Sequence, residues 1–192
     1  MKKRCAWVPE GNALYTAYHD NEWGVPVFDD KIIFEFLILE SAQAGLSWIT
    51  VLRKRENYRQ AFAQFDPKKV ARFGSREVTK LLNNAGIIRN RAKIEAAINN
   101  AKRFLEVQKE SGTFAKYIWH FSGGQPKINH WESIKQLPAK TKESIVIADD
   151  MKKRGFKFLG PTVIYAHMQA TGLVNDHTTD CFRYRKLVES LF

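Results

Sequence analysis

The chain has 192 residues, 44% of them hydrophobic, and can bury a core as one large domain or as two small lobes. Its 31 basic and 20 acidic residues give a net charge of +11, so nucleic acid is the first candidate partner and a solvated basic surface is the alternative. No stretch reaches membrane-spanning length, and no apolar run follows the positive charges at the start, so we expect a cytoplasmic protein without membrane association. In that reducing compartment the two cysteines are expected to be inert thiols or metal ligands rather than a disulfide.

The first third of the chain is predicted to contain an irregular segment followed by helices. The first 28 residues, rich in Trp, Tyr, Pro and Asn, are predicted to be irregular. Asp29 or Asp30 can cap a helix that runs through KIIFEFLILESAQ and ends near Gly45, and Ser47 begins a second helix through WITVLRKRENYRQAF. Asp66 precedes a short helix that has proline at its first position.

The rest of the chain is also predicted to be helical. Ser75 begins a helix, REVTKLLNN, that Gly86 ends, and after a tight turn comes the longest helical pattern, which stops at Gly112. The apolar face of this long helix consists of Ile94, Ala97, Ile98, Ala101, Phe104 and Leu105. Further helices fit TFAKYIWHF, TKESIVIADDMKKR and PTVIYAHMQAT, and only QPKIN could form a short extended piece. The sequence therefore predicts an all-α fold, as a single domain over residues 1–192.

Each end of the chain carries one cysteine and a nearby histidine. In VNDHTTDC, His177 precedes Cys181 by four residues, so in a helix or turn the two side chains share a face, with Cβ atoms roughly 6 Å apart. Cys5 and His19 could complete a closed Cys₂His₂ set, which is typical of structural zinc with no open position for water. Such a zinc ion would join the two ends of the chain. The spacing is not that of a zinc finger, and coincidence is the alternative.

The segment LLNNAGIIRNRAKIEAAINNAKRF is predicted to form a helix, a tight turn and a longer basic helix. It resembles the helix-hairpin-helix motif of DNA-repair proteins, over about residues 76–109. In that motif, backbone N–H groups of the hairpin bind a phosphate and basic side chains add a salt-dependent contribution. The candidate DNA contacts are Gly86, Ile88, Arg89, Arg91 and Lys93. An ordinary helix end at a glycine is the alternative, and the net charge favours DNA contact.

One carboxylate is predicted to project from an apolar helix face. Ile33, Phe36 and Leu37 precede Glu40 at helical spacing, whereas Glu35 points away from that stripe. A buried carboxylate is costly unless it is paired or meets a ligand. The alternative is that the helix frays in its last turn, so that Glu40 reaches water.

Aromatic residues cluster near this carboxylate and in the N-terminal segment. They are Trp7, Tyr15, Tyr18, Trp23 and Trp48. Aromatic faces beside a carboxylate suit a flat, cationic heterocycle, through stacking and cation–π attraction. Core packing is the alternative for any one of these rings.

The chain resembles the 3-methyladenine DNA glycosylase I family in motifs that extend from Arg4 to Cys181. These motifs are RCAW, LYTAYHDNEWGVP, LESAQAGLSWITVLRKRENY, NAGIIRNRAKI and RGFKFLGPTVIYAHMQATGLVNDH. The resemblance implies a helix-hairpin-helix glycosylase fold with a structural zinc ion bound by Cys5, His19, His177 and Cys181. It also implies a base pocket in which Glu40 is the catalytic residue, and in which the substrate-binding residues are Tyr18, Trp48, Trp23 and Tyr15.

The activity that the resemblance implies is base-excision repair. The enzyme would flip the nucleotide out of alkylated double-stranded DNA, hydrolyse the bond to 3-methyladenine and release the free base. Because N3 alkylation makes adenine cationic, the bond is already weak and the base leaves neutral, so the enzyme needs mainly to extrude and hold the ring. Gln43 and Leu46 are expected to fill the gap left in the duplex.

One motif of the broader superfamily is absent. Its members carry a catalytic aspartate, preceded by Gly-Pro, about twenty residues beyond the hairpin, whereas this chain has AKRFLEVQKESG there. The resemblance accounts for this difference, because the 3-methyladenine branch also lacks the motif. No lysine is identifiable as a Schiff-base nucleophile, so a monofunctional enzyme without lyase activity, working as a monomer, is expected.

Two other classes of function compete with this one. The first is a non-catalytic DNA-binding protein joined by zinc, which would need no pocket, so that Glu40 and Trp48 would be replaceable. The second is an RNA- or nucleotide-binding module, which the missing glycine-rich phosphate loop argues against.

Overall fold

The computed structural model describes residues 2–190, so the ends of the predicted 1–192 domain lie outside the described residues. The described part is almost entirely helical. Its α-helices are α1 (Ala13–Asn21), α2 (Asp30–Gln43), α3 (Trp48–Leu52), α4 (Arg55–Ala61), α5 (Pro67–Val70), α6 (Ser75–Leu82), α7 (Arg91–Ser111), α8 (Phe114–His120), α9 (Lys142–Lys153), α10 (Pro161–Ala170) and α11 (Phe182–Glu189). Short 3-10 turns span Ala63–Phe65 and Ile134–Gln136.

Two short strands are the exception to the helical fold. Strand β1 (Lys127–Ile128) lies in the QPKIN segment and pairs in parallel with β2 (Val174–Asn175). The prediction of an all-α fold is therefore confirmed, with one extended piece at the place where the sequence allowed it. None of the helices in residues 2–190 combines the length and the apolar character needed to cross a membrane.

Several helix ends follow local signals as predicted. The Asp29 side chain accepts hydrogen bonds from the first backbone N–H groups of α2, at 2.8 and 3.0 Å, and Asp66 does the same for α5, at 2.9 and 3.3 Å. Helix α7 ends at Gly112, whose φ of +84° lies in the left-handed region. These ends depend on neighbours in sequence, which is why sequence alone located them.

Two predictions about helices were wrong. Helix α1 lies inside the segment predicted to be irregular; Asn12 caps it by accepting from the Tyr15 N–H at 3.0 Å, a signal that the aromatic composition concealed. The long helix predicted after Ser47 is broken at Arg53 and Lys54 into α3 and α4. The break gives α4 its own direction, and Arg55 at its start reaches acidic residues of other segments.

Helix α2 is the centre of the fold and is buried along most of its length. It contacts α3, α7, α8 and α10, so its residues are buried from Ile33 to Ala42 without interruption. The sequence predicts that only one apolar face of this helix is buried, so more of its surface is buried than predicted. Glu35 does point away from the stripe, but it is also buried, because Arg55 and Arg59 from α4 cover it and bind its carboxylate at 2.6 and 3.0 Å.

The backbone of the segment after α1 packs very closely against the backbone at the end of α10. The Gly24 N–H donates to the Gln169 carbonyl at 2.8 Å, and the Val27 N–H donates to the Thr171 carbonyl at 3.0 Å. Gly172 has a φ of +72°, and a Cβ atom there would lie 2.3 Å from the Val25 carbonyl carbon. Only glycine fits this position, which holds the N-terminal segment on α10.

Replacing Gly172 with alanine tests this approach. The substitution adds both left-handed strain and a steric overlap with the backbone, so we expect the free energy of unfolding to fall by about 3–5 kcal/mol, measured by urea denaturation. Gly123→Ala is the control, because Gly123 also has a positive φ but open space around it, so only the strain of roughly 1–2 kcal/mol applies. Equal losses in the two variants would contradict the close-contact explanation.

Candidate active site

A cavity of about 350 Å³ opens between the N-terminal segment, α2, α3 and α10. Its lining residues are Trp7, Tyr15, Tyr18, Trp23, Glu40, Gln43, Trp48, Leu137, Ala166 and Gln169. The predicted catalytic residue and the four predicted substrate-binding residues therefore meet in one pocket. The cavity is large enough for one purine ring, whose own volume is on the order of 100–150 Å³ in a site class of roughly 300–1,000 Å³.

The aromatic rings of the cavity hold one another by tilted and edge-to-face packing. The Tyr18 and Trp48 ring centroids are 5.2 Å apart with 48° between the planes, and Trp7 lies 5.1 Å from Trp23 at 74°. Tyr15 packs against Trp7 as well, with ring centroids 5.7 Å apart. Tyr15 and Tyr18 both lie on α1. The helix that the sequence analysis did not predict therefore builds this wall of the cavity.

Glu40 is the acidic group of the cavity. Its side chain is 4% exposed, no residue in the described part of the chain donates a hydrogen bond to it, and burial raises its pKa to about 8. The fraying alternative is wrong, because α2 continues regularly to Gln43. Unlike Glu35, which two arginines neutralise, Glu40 faces a cavity and lacks a partner of its own.

Other polar groups of the cavity wall also lack partners. The indole N–H groups of Trp7 and Trp48 are buried, and neither has a hydrogen-bond acceptor among residues 2–190. Burial and the nearby Glu40 raise the pKa of Tyr18 well above its usual value, so its hydroxyl stays protonated and can donate. A cavity with one unpaired acid and unpaired donors is a site for a polar, planar ligand rather than a packing defect.

The turn after α2 forms the rim of the cavity. Gln43 lies in the cavity wall, while Leu46 is 42% exposed in the turn. Lys93 from α7 reaches this turn, and its ammonium group donates to the carbonyl oxygens of Ala42 and Ala44 at 2.9 and 2.6 Å. The Lys93 ammonium group therefore holds the end of α2, and its contribution to DNA binding stays a prediction.

The predicted hairpin lies between α6 and α7, apart from the cavity lining. Two of its backbone N–H groups already have protein partners: Gly86 donates to the Asn84 side chain at 2.8 Å, and Ile88 donates to the Tyr58 hydroxyl at 3.2 Å. A Cβ atom at Gly86 would lie 2.9–3.0 Å from neighbouring side chains, so this glycine is needed for close packing. The exposed basic side chains of the hairpin are Arg89 and Arg91, of which Arg91 is 61% exposed and lies 3.3 Å from the Glu95 carboxylate.

The four predicted metal ligands meet in one buried cluster. The candidate ligand atoms of Cys5, His19, His177 and Cys181 all lie within 4.8 Å of one another. Cys5 Sγ is 3.5 Å from His177 Nδ1, and Cys181 Sγ is 3.5 Å from His19 Nε2. A tetrahedral zinc ion holds such atoms roughly 3.3–3.8 Å apart, so the spacing fits a closed four-coordinate metal site.

Neighbouring groups determine which nitrogen of each histidine faces the cluster. His19 Nδ1 lies 2.8 Å from the carboxylate of Asp20, and His177 Nε2 lies 3.0 Å from the carbonyl oxygen of Trp23, so these two nitrogens donate. The remaining nitrogens therefore present lone pairs toward the cysteines, as metal-binding histidines do. Arg4 donates three hydrogen bonds to the carboxylate of Asp20 and lowers the pKa of that carboxyl to about 2.

The pKa values of the two thiols of the cluster are shifted in opposite directions. Interaction with Cys181, together with burial, raises the pKa of Cys5, whereas interaction with Cys5 and with the two histidines lowers the pKa of Cys181. A bound divalent cation would displace the remaining thiol proton and stabilise two thiolates. The donor set is thus chemically suited to a metal ion.

Sequence reasoning missed some of the cavity wall. Trp7 was recognised only as part of the aromatic cluster, and Leu137, Ala166 and Gln169 were not identified. Ala166 and Gln169 are three residues apart and share one face of α10, but nothing in the sequence indicates that this face meets α2. That meeting joins segments more than a hundred residues apart.

The helical fold, the hairpin and the aromatic cavity with its buried acid define the class of helix-hairpin-helix DNA glycosylases. The chain belongs to the methyladenine glycosylase family, whose sequence model matches residues 7–184. DNA-3-methyladenine glycosylase 1 of Escherichia coli (strain K12) is 50% identical over 182 residues, which cover 95% of this chain and 97% of that protein.

Solved structures agree with this assignment. A crystal structure of 3-methyladenine DNA glycosylase I superimposes with a TM-score of 0.91 at 52% identity, over 94% of this chain and 98% of that one. A variant of 3-methyladenine DNA glycosylase I, solved in complex with 3-methyladenine, has a TM-score of 0.90 at 36% identity, over 93% and 96% of the two chains.

The raised pKa of Glu40 predicts a pH-dependent stability. Folded Glu40 keeps its proton up to about pH 8, whereas in the unfolded chain it loses the proton near its ordinary pKa of 4.5. Between these values the unfolded state binds fewer protons, so this residue lowers the free energy of unfolding as the pH rises. Glu40→Gln removes the effect and should exceed the wild type in stability by an amount that grows from pH 5 to pH 8, reaching on the order of 5 kcal/mol at most.

Urea denaturation of both ligand-free proteins across this pH range measures the difference. Glu132→Gln, an exposed position, is the control and should follow the wild type at every pH. A stability difference between Glu40→Gln and wild type that does not change with pH would contradict the burial of an unpaired acid.

Proposed function

We propose that this protein removes 3-methyladenine from alkylated double-stranded DNA by hydrolysis of the N-glycosidic bond, as the first step of base-excision repair. The observation that carries the proposal is Glu40, a buried and unpaired acid in an aromatic, purine-sized cavity. Membership in the methyladenine glycosylase family and the relative bound to 3-methyladenine support it.

Recognition of the damaged base follows from charge. Alkylation at N3 makes the base in DNA cationic, and a cation in the cavity favours the ionised form of Glu40, which then accepts a hydrogen bond from the exocyclic amine. Trp48 provides a stacking face and the Tyr18 hydroxyl a polar contact. Normal adenine is neutral and cannot form this charge-assisted hydrogen bond. Its binding in the cavity therefore does not offset the free-energy cost of flipping it out of the DNA duplex.

Catalysis in this scheme depends mainly on extrusion and positioning. The flipped nucleotide leaves a gap that Leu46, exposed at the cavity rim, and Gln43 are placed to fill. The base departs as a neutral leaving group, and water attacks the sugar. No lysine is among the cavity-lining residues of the described chain, which supports hydrolysis without strand cleavage.

DNA binding in this scheme uses the hairpin between α6 and α7. Because the N–H groups of Gly86 and Ile88 bond within the protein, their part is to shape the hairpin, and the exposed side chains of Arg89 and Arg91 supply the phosphate contacts. The backbone N–H groups of the hairpin are thus expected to contribute less to phosphate binding than the helix-hairpin-helix motif alone suggests.

The metal in the proposed protein is a structural zinc ion on the Cys₂His₂ cluster. Zinc is favoured because two sulfur and two nitrogen ligands in a closed tetrahedron leave no position for substrate or water, and because the cluster joins the two ends of the chain. One chain contains every group of the proposed site, so we propose a monomer. We also propose a cytoplasmic location, because similar proteins come from bacteria, in which chromosomal DNA lies in the cytoplasm.

A non-catalytic DNA-binding protein is the second candidate. It would use the same hairpin and the same basic surface, but it gives no reason to keep an unpaired acid buried at a cost in stability. The buried Glu40 therefore favours the enzyme.

The metal proposal predicts about one zinc ion per chain in purified protein, measured by atomic emission. His177→Ala should lower the melting temperature strongly, while the molecules that remain folded keep most of their activity, because the ion does not contact the base. His120→Ala, at an exposed position, is the control. A metal-free preparation with unchanged stability would refute a structural zinc.

The hairpin assignment predicts a change in salt dependence. Replacing Arg89 or Arg91 with alanine should reduce the slope of log affinity against log salt by about 1 for each phosphate that the variant no longer neutralises, measured on undamaged duplex by fluorescence anisotropy. Lys152→Ala, on the exposed face of α9, should leave the slope unchanged. Unchanged slopes in both arginine variants would place the DNA surface elsewhere.

Glu40→Gln tests the catalytic proposal. The substitution keeps the shape but removes the charge that faces a cationic purine, and a charge-assisted hydrogen bond contributes about 1.5–3 kcal/mol. Single-turnover release of 3-methyladenine from methylated DNA should therefore fall by about one to two orders of magnitude in a well-folded protein. Equal release by the variant and the wild type would remove Glu40 from the site.

A further inference from the structure

A second buried carboxylate, Asp176, lies behind the cavity wall. It is 1% exposed, and four neutral donors surround it. Its Oδ1 accepts from the Asn129 amide and the Trp131 indole, each at 2.7 Å, and its Oδ2 accepts from the Tyr165 hydroxyl at 2.5 Å and from Gln169 Nε2 at 2.8 Å. Asp176 thereby ties the segment after β1 to α10, and nothing in the proposed mechanism so far uses it.

The hydrogen bond with Asp176 determines the orientation of the Gln169 carboxamide. All four contacts direct a donor at an oxygen of Asp176, and the atom of Gln169 that faces Asp176 is Nε2, so the carboxamide of Gln169 directs its NH₂ group at Asp176. The carboxamide oxygen Oε1 then points the other way, and no residue in the described part of the chain donates to it. Because Gln169 lines the cavity, the α10 wall presents an oriented neutral acceptor there.

Two acceptors from different helices therefore border one cavity. Glu40 comes from α2 and Gln169 from α10. An exocyclic amine carries two N–H donors, so it can satisfy both acceptors at once when Glu40 is ionised, whereas a carbonyl oxygen at the same ring position leaves the Gln169 oxygen unpaired whether or not Glu40 carries its proton. The Gln169 acceptor thus distinguishes a 6-amino purine from a 6-oxo purine by chemistry rather than by size.

We propose that Gln169 is a specificity-determining residue of the base cavity, accepting a hydrogen bond from the 6-amino group of the flipped base, and that Asp176 is the positioning residue that keeps its amide in this orientation. The proposal rests on the proposed function and deepens it. It assigns the selection of 3-methyladenine over 6-oxo bases, such as 3-methylhypoxanthine and 3-methylguanine, to an uncharged acceptor that acts together with Glu40.

Binding of free bases tests the proposal. Calorimetry with 3-methyladenine and with 3-methylhypoxanthine gives an affinity ratio for each protein. Gln169→Leu should weaken 3-methyladenine binding by roughly 3- to 10-fold and should leave 3-methylhypoxanthine binding unchanged or tighter, so the ratio falls. Gln60→Leu, the same change at an exposed position on α4, should keep the wild-type ratio. An unchanged ratio in Gln169→Leu would overturn the proposal.

The role of Asp176 is tested by Asp176→Asn, in which the Gln169 amide is free to rotate. The affinity ratio should fall toward that of Gln169→Leu, and adding Gln169→Leu to this variant should change the ratio no further. If Asp176→Asn does not fold, Asn129→Leu decides the same point, because it removes one of the donors that hold Asp176, at 2.7 Å, and the ratio should fall part of the way toward that of Gln169→Leu. Additive losses in the double variant, or a wild-type ratio in Asn129→Leu, would contradict positioning by Asp176.

Wild-type release of 3-methyladenine from methylated DNA is measured in parallel. If the wild type releases the base but Gln169→Leu keeps the wild-type affinity ratio, the specificity proposal alone fails. If the wild type releases no base, the proposed function fails first.

Discussion

The burial of α2 on nearly all sides is the constraint on which the rest of the structure depends. Packing against α3, α7, α8 and α10 takes both of its glutamates out of water, and a buried carboxylate must find a partner or lose its charge. Glu35 has partners in Arg55 and Arg59, so it serves the fold. Glu40 has none within the described part of the protein, so it remains to be satisfied by whatever enters the cavity. One helix therefore supplies a structural ion pair on one side and an unpaired cavity acid on the other.

The metal cluster and the cavity share a wall, which links stability to recognition. Trp23 contacts the cluster through its ring, 4.7 Å from that of His177, and through its carbonyl, which accepts from the same histidine. Trp7 lies 5.3 Å from His19 and also lines the cavity. A closed metal site would thus fix the aromatic wall without touching the base, since its ligands are buried behind the rings. The close backbone approach at Gly172 holds the same N-terminal segment from the α10 side.

Hydrogen bonds connect the hairpin with α4 and the start of α7 with the cavity rim. Lys54, just before α4, donates to the Ala85 carbonyl at 2.8 Å, and Tyr58 accepts from the Ile88 N–H. Lys93 binds the carbonyls at the end of α2, beside the turn that carries Leu46. These contacts hold the surface proposed to bind phosphates in a defined position relative to the cavity, which suits an enzyme that must bring an extruded base to its pocket.

The sequence by itself determined the helical class, the cap of α2 at Asp29 or Asp30 and, through family resemblance, the cavity acid and the four residues of the Cys₂His₂ cluster, because caps and motifs depend on nearby residues. It separated Glu35 from the apolar stripe that carries Glu40 but did not indicate that Glu35 is buried, since the arginines that neutralise Glu35 come from another helix. It also missed the orientation of Gln169, which depends on Asp176 and on the packing of α10 against α2. Burial, pairing and the direction of a side chain are decided by interactions between segments distant in sequence, and only the tertiary structure contains them.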